Sequence, residues 1–257
     1  MERSRTVSGG RRRTATGISM AALLLAVIGV LVLASAGFGY RFGWWGVRPA
    51  FTILRVSVYA AIVVAAVGVI AAVASLVARH RVATAGAILA ILLAAGTAAV
   101  PLAMQRAAQS VPHIHDITTD TDNPPTFVAL RAVRERAPNG VDYGGPVVAA
   151  EQRAGYPDLA PLMLRVPPDR AFALAETAAK GLGWQIASAV PAEGRLEATD
   201  TTRWFHFKDD IVVRVGAAPD GSRVDVRSVS RIGRSDLGAN ARRIRAFLSA
   251  LADRARA

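Results

Sequence analysis

The sequence predicts an α+β protein on a membrane anchor: three N-terminal transmembrane helices, then a small antiparallel sheet packed on two helices in a helix-grip-like way. Three observations predict it. Charged residues vanish from three long stretches in the N-terminal part of the chain. Beyond Gln105 the composition turns mixed and polar, with short alternating runs broken by Gly, Pro and Asp. Two later stretches carry helix-forming residues with start and stop signals.

Hydrophobic residues make up 52% of the 257 and charged residues only 19%, a balance that points to segments in lipid. The net charge of +12 divides unevenly. Residues 1–104 hold ten arginines against Glu2 alone, and residues 105–257 hold 21 basic against 18 acidic side chains. The excess sits beside the apolar stretches, where it orients helices, and the near balance of the remainder argues against a nucleic-acid partner. The absence of cysteine excludes disulfides, thiolate metal sites and cysteine nucleophiles.

Residues 1–17 read as a cytoplasmic basic tail and 18–104 as the membrane region. Its uncharged runs lie between Arg13 and Arg41, Arg55 and Arg79, and Arg81 and Arg106. Each exceeds the roughly 20 apolar residues that cross the hydrocarbon core as a helix. Ala34–Ala36 resembles a signal-peptide cleavage site. The apolar run before it is longer than the usual stretch of about 7–15 residues, so an uncleaved anchor is expected. Arg3, Arg5, Arg11, Arg12 and Arg13 fall on the same side as Arg79 and Arg81, against Arg41, Arg48, Arg55 and Arg106 on the other. Positive flanks stay inside, so the expectation is a plasma-membrane protein with a cytoplasmic N-terminus. An odd number of crossings then puts the C-terminal domain outside, in the periplasm of a cell with two membranes. The loop "GFGYRFGWWGVRPAF" reads as an interfacial aromatic belt.

Residues 105–160 read as an extended wrapping segment, with a short helix in "FVALRAVRERA", and 161–257 as the α+β domain. There "LMLRV" predicts a strand. "PPDRAFALAETAAKGLG" predicts a helix with Pro and Asp at its start, Glu176 four before Lys180, and Gly181 at its end. "WQIASAV" and "RLEATD" flank the turn "PAEG", and strands are expected in "TRWFHF", "DIVVRV" and "RVDVRSVS", the last two joined at Asp220-Gly221. A final helix follows, with Ser235 or Asp236 as cap and Ile244, Phe247, Leu248 and Leu251 on one face.

Five motifs, "HIHDITTDTDNPPTF", "YPDLAPL", Gly183-Trp184, "FKDDIVVRV" and "DVRSVSRIGRSDLGAN", make residues 110–252 resemble domain-of-unknown-function family 1499. The block RSxSRxGxSDxGxN is the most specific of them. The three-span N-terminus looks like the membrane-bound members of that family, and the resemblance brings no reaction with it. Some relatives carry cysteines ahead of the domain; a role that depends on them does not apply to a cysteine-free chain.

Two constellations carry chemistry. The first is Arg227, Ser228, Ser230, Arg231, Arg234, Ser235 and Asn240, where a strand runs through a Gly-containing turn into a helix start. Free amides there, with arginines beside them, suit an anion such as a phosphate headgroup. The competing reading is a structural network, with Asp225, Arg227 and Asp210 paired across strands, Asn240 on the loop backbone, and Ser235 or Asp236 capping the amides. The second is His113, His115 and Asp116, spaced to share a metal, against an ordered loop that uses the same side chains for turns. Asp209 and Asp210 point to opposite faces of a strand and make a poor acid–base pair. No GxSxG, P-loop or GxGxxG is present, so neither a catalytic residue nor a cofactor is assigned. The expected function is a non-catalytic binding or scaffolding module of the cell envelope, meeting the lipid bilayer, anionic lipid or another envelope protein. A metal-dependent hydrolase and a structural subunit of a larger membrane complex are the alternatives.

Overall fold

The structure is a computed structural model that describes residues 2–256, with side chains from Gly10 onward, so Arg3 and Arg5 of the basic tail lie outside the described side chains. Two compact units divide the chain, Met1–Arg106 and Ala107–Ala257.

The first unit contains α1 (Glu2–Arg41), α2 (Val47–Val77) and all but the last turn of α3 (Arg81–Gln109), helices whose apolar parts are long enough to cross a membrane. At 1.5 Å per residue α2 measures about 46 Å, more than the hydrocarbon core of about 30 Å. Small residues make the helix contacts. Ala50, Ser57, Ala61, Gly68, Ala71 and Ser75 of α2 are buried, as are Ala83, Ala87, Ala90, Ala94 and Thr97 of α3. Leu24, Leu31, Ile62, Ile70 and Leu92 point outward instead. Lipid tails are as apolar as leucine, so close backbone approach and dispersion hold such helices rather than exclusion of water. The buried hydroxyls of Ser57 and Thr97 donate to carbonyls one turn back, and Ser19 and Ser75 share a hydrogen bond at 3.1 Å. In the aromatic loop Trp45 folds against α1, its indole N–H on the Ala36 carbonyl at 3.2 Å and its ring where a Cβ on Gly39 would stand. Phe42 and Trp44 stay exposed.

The second unit is a six-stranded antiparallel sheet with helices, an α+β fold. In chain order it runs β1 (Asp116–Thr118), α4 (Arg131–Glu135), α5 (Gly145–Gly155), β2 (Leu162–Leu164), α6 (Pro168–Gly181), β3 (Gln185–Val190), β4 (Arg195–Thr201), β5 (Lys208–Ala218), β6 (Gly221–Ser230) and α7 (Ala239–Arg256). The strand order is β1-β6-β5-β4-β3, with β2 also on β6: β1 pairs with residues 227–229 and β2 with 222–224. The β5–β6 hairpin closes with Ala218 opposite Gly221, and the β3–β4 hairpin at Gly194. Gly194 has φ +60° and would set a Cβ against the Val215 carbonyl, so only glycine fits there.

Alternation along the strands gives the sheet two different faces. Leu196, Ala198, Ile211, Val213, Val215, Val224 and Val226 meet Phe172, Ala175 and Ala179 of α6 and Ile244, Phe247 and Leu251 of α7, all in one core. Trp184 stacks on Phe247 with ring centres 5.0 Å apart. On the other face stand Glu197, Thr199, Asp210, Arg214, Asp225 and Arg227, with only Val212 and Val229 apolar between them. That pattern alone predicts a wet face. Instead the stretch from Thr119 to Tyr143, a strap, lies over it and packs Phe127 and Leu130 on Val212 and Val229.

Two expectations need correction. "TRWFHF" is not a strand but a tight turn between β4 and β5: the His206 N–H donates to the Thr202 carbonyl, and His206 has φ +60°. Its β-branched and aromatic content serves ring packing, with Phe205 stacked on Phe207 at 4.9 Å. Residues 105–160, expected as an extended wrap with one short helix, hold that helix as α4 but also supply β1 and α5.

Candidate functional site

The residue pattern of 227–240 becomes intelligible once the buried charges are traced. Arg227 grips Asp116 of β1 with two hydrogen bonds, 3.0 and 2.7 Å, and gives further bonds to the Pro125 and Val141 carbonyls. Its guanidinium lies over the rings of Phe127 and Tyr143. Burial pushes the Tyr143 phenol up to about 12. Arg231 grips Asp210 with two bonds of 2.9 and 2.8 Å. Asp210, fully buried, also accepts from Arg134 at 3.0 Å and from the Thr199 hydroxyl at 2.8 Å. Arg134 comes from the strap and is itself 0% exposed. It donates to the Val229 and Gly140 carbonyls, and burial lowers its pKa against the pull of Asp210. Farther along the face, Asp120 and Asp225 hold Arg214 and Arg223.

Glu197 fastens the strap by a different device. Its buried carboxylate accepts the backbone N–H groups of Val128, Ala129 and Leu130 at 3.0, 3.0 and 2.8 Å, and Arg195 closes on the same group. A carboxylate met by several donors is well solvated even without water.

On the helix face, at the start of α7, polar side chains bond to each other. Ser228 donates to the Asn240 carbonyl oxygen at 2.7 Å, and the Asn240 amide donates to Ser230 at 3.1 Å. Arg243 bridges Asp200 and Asp209 at 2.8 and 2.6 Å and reaches Ser228 as well. Asp236 accepts the N–H groups of Gly238 and Asn240, and Ser235 accepts that of Leu237. The amides of residues 236–240, at the start of α7, are therefore already taken. Burial raises the Asp236 pKa, and the two backbone bonds oppose that rise.

What the block does instead is hold a loop. The His115 carbonyl accepts from the Ser230 N–H and the Asn240 amide, both at 3.0 Å, and the Ile114 carbonyl accepts from Asp236 N–H at 3.2 Å. Asn139 ties the end of the strap to the Ser230 and Gly233 carbonyls. These bonds fix the walls of an open cleft of about 380 Å³, lined by His113, His115, Asn139, Asp142, Glu151 and Arg234 among others.

Of the seven residues expected to bind an anion, Arg227, Ser228, Ser230, Arg231, Ser235 and Asn240 are engaged inside the fold. Arg234 alone among them is exposed, without an ion pair among the described residues, and on the cleft. The expected metal set does not assemble. Asp116 is held by Arg227, and among the described residues no group of three or more His, Asp or Glu is placed to hold a metal ion. Sequence reading missed Asp142 and Glu151, which reach the cleft from either side of the start of α5; nothing in their local spacing marks them.

A family model described as protein of unknown function (DUF1499) matches residues 116–251, just over half of the chain. No curated protein and no solved structure matches it.

Proposed function

The chain belongs to the DUF1499 family, and from that premise we propose that it is an integral membrane protein whose C-terminal domain lies outside the cytoplasm and acts there as a non-catalytic binding or scaffolding module of the cell envelope. The basic residues support the orientation. Arg11, Arg12 and Arg13 precede the first apolar run and Arg79 and Arg81 flank the α2–α3 turn, against Arg41 and Arg48 in the other connection.

One observation carries the binding role: the polar side chains of the family block are engaged in holding the walls of a preformed cleft. A site whose walls are fixed before the ligand arrives loses little freedom on binding. The anionic contact then narrows to Arg234, with Arg227 and Arg231 acting through the fold.

Two measurements on the full chain test this. Fusions at the C-terminus should give active alkaline phosphatase and dark green fluorescent protein; the reverse pattern overturns the orientation. Arg234→Ala should lower the phospholipid that co-purifies in neutral detergent and leave the melting temperature unchanged, whereas Arg231→Ala should lower the melting temperature. Unchanged lipid in Arg234→Ala removes the anionic contact.

A further inference from the structure

We propose that the cleft between the His113–Asp116 loop, α5 and the Gly233–Arg234 turn takes a compact zwitterion, in which a primary ammonium is joined by a short linker to a phosphate or similar oxyanion. The assignment rests on the binding-module reading and names the ligand class of that module; it does not depend on which way the chain crosses the membrane.

Elsewhere on the sheet, arginines and carboxylates close on each other, as Arg227 does on Asp116 and Arg231 on Asp210. The cleft departs from that habit. Arg234, Asp142 and Glu151 all line it and all are exposed, yet none makes an ion pair with another or with any other described residue. Each is carried by a separately fixed element: Arg234 by the turn that Asn139 pins, Glu151 by α5, and Asp142 by the chain just before α5. Opposite charges that face one cavity without meeting leave room for a ligand with both signs.

The balance of charge selects among ligands. With histidine neutral, the three groups sum to one negative charge, so a bare dianion meets repulsion from Asp142 and Glu151. A ligand that turns an ammonium toward those carboxylates and an oxyanion toward Arg234 satisfies every group. The imidazoles of His113 and His115 supply further hydrogen-bonding atoms on the same wall, and Val148 gives the linker an apolar surface. A volume of about 380 Å³ falls in the range of small-molecule sites and exceeds what such a headgroup needs.

The test titrates O-phosphoethanolamine into the full chain, purified in a maltoside detergent, by calorimetry, with ethanolamine and inorganic phosphate as separate halves. The whole probe should bind at least about tenfold more tightly than either half, because each half leaves one side of the cleft unmet. Arg234→Gln should weaken it by about tenfold and Glu151→Gln by several-fold, with melting temperatures unchanged. Halves that bind as well as the whole, an unaffected Arg234→Gln, or no heat from any probe overturns the assignment. Nanodiscs with and without phosphatidylethanolamine separate the sources. Loss of the response only when that lipid is present marks a lipid headgroup as the occupant, and an equal response in both marks a free solute. Release of inorganic phosphate from the bound probe would overturn the non-catalytic reading and leave the ligand class standing.

Discussion

In α2 six of the eight buried positions are held by alanine, glycine or serine, with Leu54 and Val64 between them; in β6 the buried positions are held by Asp225, Arg227, Ser228 and Ser230 among valines. Both regions exclude solvent from polar atoms, and they do it by opposite means. The helices satisfy each hydroxyl within a turn or by a single neighbour, as Ser19 and Ser75 do, so no contact carries much energy. The sheet buries whole charges on the face under the strap, and each must be met from several directions at once. The side-chain choice follows: the chain has 29 arginines and two lysines. Arg134 and Arg227 each serve a carboxylate and two carbonyls from one planar fork, which a lysine ammonium on a flexible stem does not match. The domain is therefore brittle toward loss of one partner, and the spans are tolerant.

The largest expected effect breaks the sheet side of that contrast. Asp210→Ala leaves Arg134 buried without its counter-ion, a change that costs about 3–5 kcal/mol, against a typical total of about 5–15 kcal/mol for a domain. Near-UV circular dichroism of the full chain during urea titration measures it; a loss under about 1 kcal/mol would mean the pairs do not hold the face together.

Ser19→Ala probes the membrane side. A buried hydroxyl pair between spans is worth about 0.6 kcal/mol, so the midpoint of unfolding in a denaturing detergent should barely move. A shift equivalent to more than about 2 kcal/mol would erase the contrast between the units.

The smallest change sharpens the account of the α7 start. Burial raises the Asp236 pKa above the ordinary 3.8, so its neutral form favours the folded state. That contribution is fully present below the unfolded value and is lost as pH rises through the folded one. Asparagine mimics the neutral acid and ranks with aspartate as a cap. Asp236→Asn should thus melt with the wild type below pH 3.8 and slightly above it as pH rises past the folded value. A variant that falls behind as pH rises reverses the sign.

How much of this was readable in the residues depended on range. The spans announced themselves by local composition, and α6, α7 and the β5–β6 hairpin by spacing and by Asp220-Gly221. β1 escaped notice because "DIT" is three residues long and becomes a strand only by pairing with β6, over a hundred positions later. The Thr202–Phe207 turn was misread because aromatic and β-branched residues look alike whether they pair in a ladder or stack in a loop. At the site, the block 227–240 identified itself, but not its partners. Asp225, Arg227 and Asp210 were expected to pair with one another across the strands. Arg227 instead holds Asp116, and Asp210 holds Arg134 and Arg231. Which carboxylate meets which arginine is settled by the strap, and the strap's path is a tertiary fact.

Glu197 shows how that path is made unambiguous. A slip of β4 by a single residue would swing its side chain to the opposite surface, among Ile211, Val213 and Phe247, and would strand three amides of residues 128–130 without an acceptor. The carboxylate thereby serves as a proofreading key: only a correctly aligned sheet presents it where the crossing segment can latch, so closure of the strap reports that the strands beneath have found their partners.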